Sequence, residues 1–337
     1  MTHLFRRTAY KWAGLALTLL IFAAAFAASL AFGQTQIKPG TVWEALFRYD
    51  ASVQEHVIIT TSRLSRALIA AVIGASLAIA GALLQALTKN QLASPSIFGI
   101  NSGAIFFIVA AAAFFSVSSL IQYMWIAFAG AAAAALMVYA LGSTGRGGMS
   151  PMKFVLAGAA ISALFVSLTQ GVLVTSEQSL QSVLFWLAGS VAGRTVEMLL
   201  PILPFMAGGW IAAFLLGHSV NILTSGEEVA KGLGQKTLWV KTAMIAVIVL
   251  LAGGSVAVGG SIGFVGLVIP HIARGLVGID YRWIIPYCAL LGGSLLLLAD
   301  VAARFVIMPQ EMPIGVMTAL IGTPFFIYIA RRRSGRI

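Results

Sequence analysis

LSRALIAAVIGASLAIAGALLQAL, residues 64–87, contains one charged side chain, Arg66, in 24 positions. A helix rises 1.5 Å per residue, so about 20 apolar residues cross roughly 30 Å of hydrocarbon. Its apolar residues run on without alternation, and the run is about twice as long as a barrel strand needs to be. In lipid each backbone N–H and C=O must be satisfied within the segment, which a helix does alone. Residues 64–87 therefore read as a transmembrane helix.

Nine further stretches obey the same rule, at 13–33, 97–115, 121–142, 153–175, 194–217, 239–259, 262–279, 284–307 and 313–330. The chain is 60% hydrophobic and 9% charged, with a mean hydropathy of +0.97. Soluble domains carry about 25% charged residues, so a water-soluble core is excluded. The expectation is an all-α membrane protein of about ten transmembrane helices. The 35 glycines suit close helix approach in lipid, with Gly74–Gly81 and Gly130–Ala135 as examples.

Charge orients the spans. Of 21 Lys and Arg residues, Lys38, Arg48, Arg63, Arg66, Arg194 and Arg304 lie at one set of span ends and the other fifteen at the opposite set. The richer side is cytoplasmic by the positive-inside rule, which places both termini inside. The net charge of +11 then reflects topology and contact with the lipid bilayer. It does not indicate nucleic-acid binding, since no aromatic-laced basic domain accompanies it. The apolar run from Ala13 to Phe32 exceeds a signal-peptide core and reads as a retained anchor. The single Cys288 allows no disulfide or cysteine metal site within one chain.

Two polar segments interrupt the pattern. Residues 34–62 lie outside, and HSVNILTSGEEVAKGLGQKTL, residues 218–238, lies inside after a span ending near Gly217. Ser225-Gly226-Glu227-Glu228 looks like a helix start with acids in its first turn. Gly232 and Gly234 interrupt the residues after it, which predicts two short helices. Residues 176–193 are amphipathic and predicted to lie at the interface. GLGQKT, residues 232–237, only faintly resembles a phosphate loop, because Gln235 separates Gly from Lys and no strand precedes it. No HExxH, Gly-x-Ser-x-Gly or catalytic carboxylate pair is present, so the chain does not read as an enzyme.

The remaining charges leave two readings open. Arg63 and Arg66 share a face three residues apart, and Asp300 and Arg304, four apart, can form an intrahelical ion pair. They are either helix anchors or an outward basic patch for an acidic partner. His271 after Pro270 reads as a hydrogen-bonded histidine at a kink, with no second metal ligand nearby. Gly260, Gly263 and Gly266, spaced by three, permit close packing on one helical face or a tight return into the membrane. Pro270 should free a backbone carbonyl and bend its span.

Three blocks resemble one family: residues 62–104, residues 260–286 (GSIGFVGLVIPHIARGLVGIDYRWIIP) and residues 296–329 (LLLADVAARFVIMPQEMPIGVMTALIGTPFFIYI). They look like the iron-siderophore and vitamin B12 (FecCD-type) ABC importer permeases, and the likeness covers essentially the whole chain. The resemblance implies a type II ABC importer permease fold, with residues 1–337 as one transmembrane domain in the bacterial cytoplasmic membrane. It also implies a dimer of permeases, cytoplasmic ABC ATPase subunits, an extracytoplasmic substrate-binding lipoprotein and ferric siderophore as cargo, with cobalamin or haem as alternatives.

By the same resemblance, Gly226, Glu227, Ala230, Leu233 and Gly234 occupy the ATPase-coupling positions of the 218–238 segment. Arg63, Arg66 and Arg304 occupy the binding-protein docking positions, with Ser65 standing where proline is usual. Gly260, Gly263, Gly266, Pro270 and His271 fall in the block assigned to gating and packing. No cofactor or resident metal is expected. An ion-coupled secondary transporter is the rival from another class, but only Asp300 and Arg274 offer it membrane-embedded charges and no inverted repeat is evident.

Overall fold

The computed structural model describes residues 4–5, 7–115, 117, 119–144, 151–175, 184 and 186–334. Its helices in chain order are α1 (Thr8–Ala31), α2 (Pro39–Phe47), α3 (Gln54–Leu87), α4 (Ile100–Phe114), α5 (Leu120–Ser143), α6 (Pro151–Thr175) and α7 (Val196–Leu199). They continue as α8 (Leu203–Thr224), α9 (Glu227–Gly232), α10 (Thr237–Gly259), α11 (Val265–Val277), α12 (Tyr281–Val306) and α13 (Ile314–Ser334). Among the described residues, seven helices are long and apolar enough to cross a membrane. Three shorter apolar stretches, Ile100–Phe114, Val265–Val277 and Ile314–Ile327, complete the ten expected segments. This is a multi-pass membrane protein.

Helix α3, which contains residues 64–87, is the axis of the bundle. It is buried along most of its length and packs on α1, α10, α11 and, most extensively, α12. Glycine makes those crossings possible. A Cβ on Gly74 would stand 2.3 Å from the Gly292 carbonyl oxygen of α12, and one on Gly81 would stand 1.9 Å from that of Gly266 on α11. The same device joins α4 to α5, where a Cβ on Gly103 would lie 2.6 Å from the Gly130 oxygen. Backbones in direct contact gain dispersion that lipid-exposed leucines cannot supply.

Several boundaries differ from the sequence expectation. The span expected at 194–217 is Leu203–Thr224, because Pro201 and the turn around it break the chain after the short α7. Consequently 218–224, expected to be loop, is helix. The 225–236 connection holds one short helix rather than two. Residues 260–263 are non-helical, so Gly260, Gly263 and Gly266 do not share a helical face. Of the segment expected at the interface, 176–183 and 185 fall outside the described residues, while Trp186 is buried against the backbone of Gly260.

Candidate functional site

Functional groups gather at the two ends of the bundle. At one end, the last turn of α1 carries no basic residue of its own. Its free carbonyls are instead taken by two arginines from other helices. Arg63 Nη1 donates to Leu30 O (2.8 Å) and Ala31 O (2.7 Å), and its Nη2 donates to Thr35 O. Arg304 Nη1 donates to Ser29 O (2.8 Å) and Phe32 O (2.7 Å). Cations are favoured at a helix C-terminus, where unsatisfied carbonyls and the macrodipole concentrate negative charge.

The third arginine joins them through carboxylates. Arg66 donates to Asp300 (2.7 Å) and to Glu311 (2.6 Å), and Asp300 also accepts from Arg304 Nε at 3.1 Å and from its Nη2. The expected Asp300–Arg304 pair is therefore present but shared. All three arginines are buried, at 4%, 8% and 2% exposure for Arg63, Arg66 and Arg304. They line a shallow cavity of about 160 Å³ at this end, together with Ser62 and Glu311. A π-helical stretch, Ile58–Arg63, ends at the first of them, and its Thr60 and Thr61 hydroxyls bond back to the carbonyls of His56 and Val57.

At the opposite end, α9 is fastened on both sides. Gly226 (φ 132°) admits the chain to the helix, and Glu227 and Glu228 occupy the first turn, where acids are favoured. Glu227 accepts from Lys241 of α10 at 2.8 Å, and this bond holds its carboxyl below the usual range. Gly234 (φ 78°) closes α9 with paired bonds, Gln235 N to Ala230 O and Gly234 N to Lys231 O, both 2.9 Å. The Gln235 amide then ties this end to Ser219 O of α8 at 2.9 Å. The GLGQKT run is thus a helix C-cap. Ala230 faces inward, fully buried, whereas Val229 and Leu233 are more than half exposed.

Beside α9, Asn221 of α8 donates to Asp280 at 2.6 Å and accepts from Tyr281 N at 2.8 Å, locking α8 to the start of α12. Burial pushes the Asp280 carboxyl up, but hydrogen bonds from Arg282 and Asn221 override it and bring it to about 2. These residues border a cavity of about 500 Å³ with Lys89, Arg274 and Tyr281.

The glycine-rich block between these ends has two parts. Gly260 (φ 74°) lies where a Cβ would meet the Trp186 oxygen at 2.6 Å, and Phe264 adopts φ 65°, rare for a residue with a side chain. Gly263 has no neighbour within 4 Å of a Cβ position, so it is no packing residue, whereas Gly266 fits against α3. Pro270 leaves the Gly266 carbonyl without its helical donor, and Gln85 Nε2 of α3 reaches that oxygen at 3.3 Å. Gln85 Oε1 accepts in turn from Arg274. His271 is half-buried, edge-on to Phe325 at 5.9 Å.

Sequence reasoning missed Glu311, Gln85 and the Asn221–Asp280 lock. Glu311 stood as a lone acid between Pro309 and Pro313, a hint of an irregular connection but not of its partner. Gln85 could be found from Pro270, since an orphaned carbonyl in lipid needs a donor.

The profile of the FecCD transport family matches residues 19–332. The chain is 52% identical over 330 residues to the probable siderophore transport system permease protein YfiZ of Bacillus subtilis, covering 97% of this chain and 98% of that protein. It is 38% identical over 317 residues to the ferric enterobactin transport system permease protein FepD of Escherichia coli, covering 94% of each. The cobalamin import system permease protein BtuC of Halobacterium salinarum is also 38% identical, over 307 residues, 89% of this chain and 82% of that one. Among solved structures, an inward-facing metal-chelate type ABC transporter superposes with a TM-score of 0.83 at 30% identity, covering 94% of this chain and 98% of the other.

Proposed function

This chain belongs to the FecCD transport family, and on that premise we propose that it is the permease of an ABC importer carrying a ferric siderophore inward. The observation that carries the reading is the 52% identity, along nearly the whole of both chains, to a siderophore transport permease. The cobalamin permease, at 38%, supports a second and weaker reading of the cargo.

In this reading residues 1–337 form one membrane domain, the end richer in Lys and Arg is cytoplasmic, and ATP is hydrolysed in separate subunits. Two permeases pair around the path of the chelate. The extracytoplasmic binding protein docks over Arg63, Arg66 and Arg304. These arginines are held by α1, Asp300 and Glu311, so they act as a rigid charged floor rather than as reaching side chains.

On the cytoplasmic side, Val229 and Leu233 enter the partner ATPase, while Ala230 seats α9 on its own bundle. The bonds from Glu227 to α10 and from Gln235 to α8 pass any displacement of α9 to both helices. Helix α10 leads into the non-helical 260–264 joint, where Gly260 and Phe264 interrupt regular backbone, and Pro270 follows inside α11; together they allow two packings. Alternating access follows from such bistable packing, without covalent chemistry in this chain.

Uptake of radiolabelled ferric siderophore by cells lacking and regaining this permease tests the proposal. Uptake should depend on the permease, cease when the partner ATPase is inactivated and survive an uncoupler. Uptake that survives ATPase inactivation would overturn the ABC mechanism. Exclusive transport of cobalamin would overturn the cargo.

A further inference from the structure

Arg63, Arg66, Arg304 and Glu311 line the cavity at the arginine end, with Asp300 buried behind them, so three guanidinium groups meet two carboxylates and one positive charge is in excess. The two carboxylates are not equivalent. Asp300 lies inside the bundle with its side chain 1% exposed, and it binds both Arg66 and Arg304. Glu311 sits on the non-helical connection between α12 and α13, its side chain 28% exposed, and among the described residues its ion pair is with Arg66, at 2.6 Å.

The arginines differ as well. Among the described residues, the bonds of Arg63 run to the neutral carbonyls of Leu30, Ala31 and Thr35 and it forms no ion pair with a carboxylate. Arg66 Nε is buried without a hydrogen-bond partner among the described residues, although Arg66 is only 8% exposed.

We propose that Glu311 is an internal stand-in for a carboxylate of the extracytoplasmic binding protein. It occupies Arg66 while the outer face is free, and the incoming acidic side chain displaces it. That side chain takes the released Arg66 Nη1 and offsets the excess charge beside Arg63. Glu311 swings outward on its connection, while Asp300 stays in place and preserves the helix contacts. Docking is thereby an exchange of one carboxylate for another, which keeps affinity moderate and release easy. The inference rests on the reading that this cavity is the docking face.

The test uses the assembled transporter in lipid nanodiscs and the purified binding protein of the same importer, loaded with ferric siderophore. Association and dissociation are followed by interferometry at several salt concentrations. Glu311→Gln removes the competing charge and should tighten binding by about three- to fivefold, the range of a partly exposed charge pair. Glu311→Asp, which keeps the charge on a shorter arm, should fall between it and the parent protein. Equal or weaker binding by Glu311→Gln overturns the exchange. Ser62→Glu, at the exposed rim of the cavity, tests the docking reading separately and should weaken binding. If Ser62→Glu and Glu311→Gln both leave affinity unchanged, the docking face lies elsewhere and the proposal falls with it.

Discussion

The side-chain amide of Gln85, on α3, donates to the carbonyl oxygen of Gly266, on α11, which Pro270 leaves without a helical partner. A proline inside a membrane helix is tolerated when a neighbour satisfies the freed group. Here that neighbour also accepts from Arg274, so one residue joins the proline of α11 to the cavity beside α9. Gln85→Leu should lower unfolding stability in detergent by about 1–3 kcal/mol, the cost of a buried carbonyl left unpaired. Pro270→Ala in the same background should recover part of it, because the backbone N–H of residue 270 returns. No recovery in the double variant would mean that Gln85 acts elsewhere.

The glycine contacts make a graded prediction. Gly81→Ala drives a methyl into the backbone of Gly266, so it should cost about 1–3 kcal/mol, as over-packing does. Gly263→Ala meets nothing within 4 Å and should change stability by less than about 0.5 kcal/mol. Thermal denaturation of the two purified variants, compared side by side, checks the contrast.

Asp280 sets a pH limit. Its carboxyl is depressed to about 2 from the ordinary 3.8, so its bonds to Asn221 and Arg282 contribute fully above about pH 4. The contribution is lost as pH falls from about 4 toward 2, where the folded-state carboxyl takes up its proton. Asp280→Asn should be less stable at neutral pH and should lose less on acidification over that window. A parallel acid profile for parent and variant would refute this role.

The outward face of α9 should matter for transport and not for folding. Val229 and Leu233 are exposed and touch no core. Leu233→Asp should leave yield and thermal stability unchanged while lowering ATPase-dependent uptake by at least about tenfold, the scale of a contact anchor lost from an interface. Ala230→Leu should instead destabilise the protein itself, since Ala230 is fully buried. Reversal of this pattern would place the coupling surface on the other side of α9.

The ten apolar segments were legible in the sequence because lipid imposes a length and a composition on every crossing helix. Their ends were less so. Residues 218–224 look like loop, yet they are helix because Asn221 has a partner in Asp280, 59 positions further along the chain and invisible to any local pattern. The three glycines from Gly260 to Gly266 suggested a helical face, whereas the positive φ at Gly260 and Phe264 shows a broken one. Arg63, Arg66 and Arg304 were found as a group. Their capping of α1 was not, since nothing in residues 8–31 announces a missing basic residue.

The capping of α1 by Arg63 and Arg304 also dictates an order of events. The carbonyls at the end of the first crossing find their second cation 275 positions further along the chain. During insertion from the ribosome, α1 must wait with Ser29 and Phe32 carbonyls turned to headgroups or water until α12 arrives. Helix α1 is thus finished only when a helix made much later in the chain brings Arg304 to it.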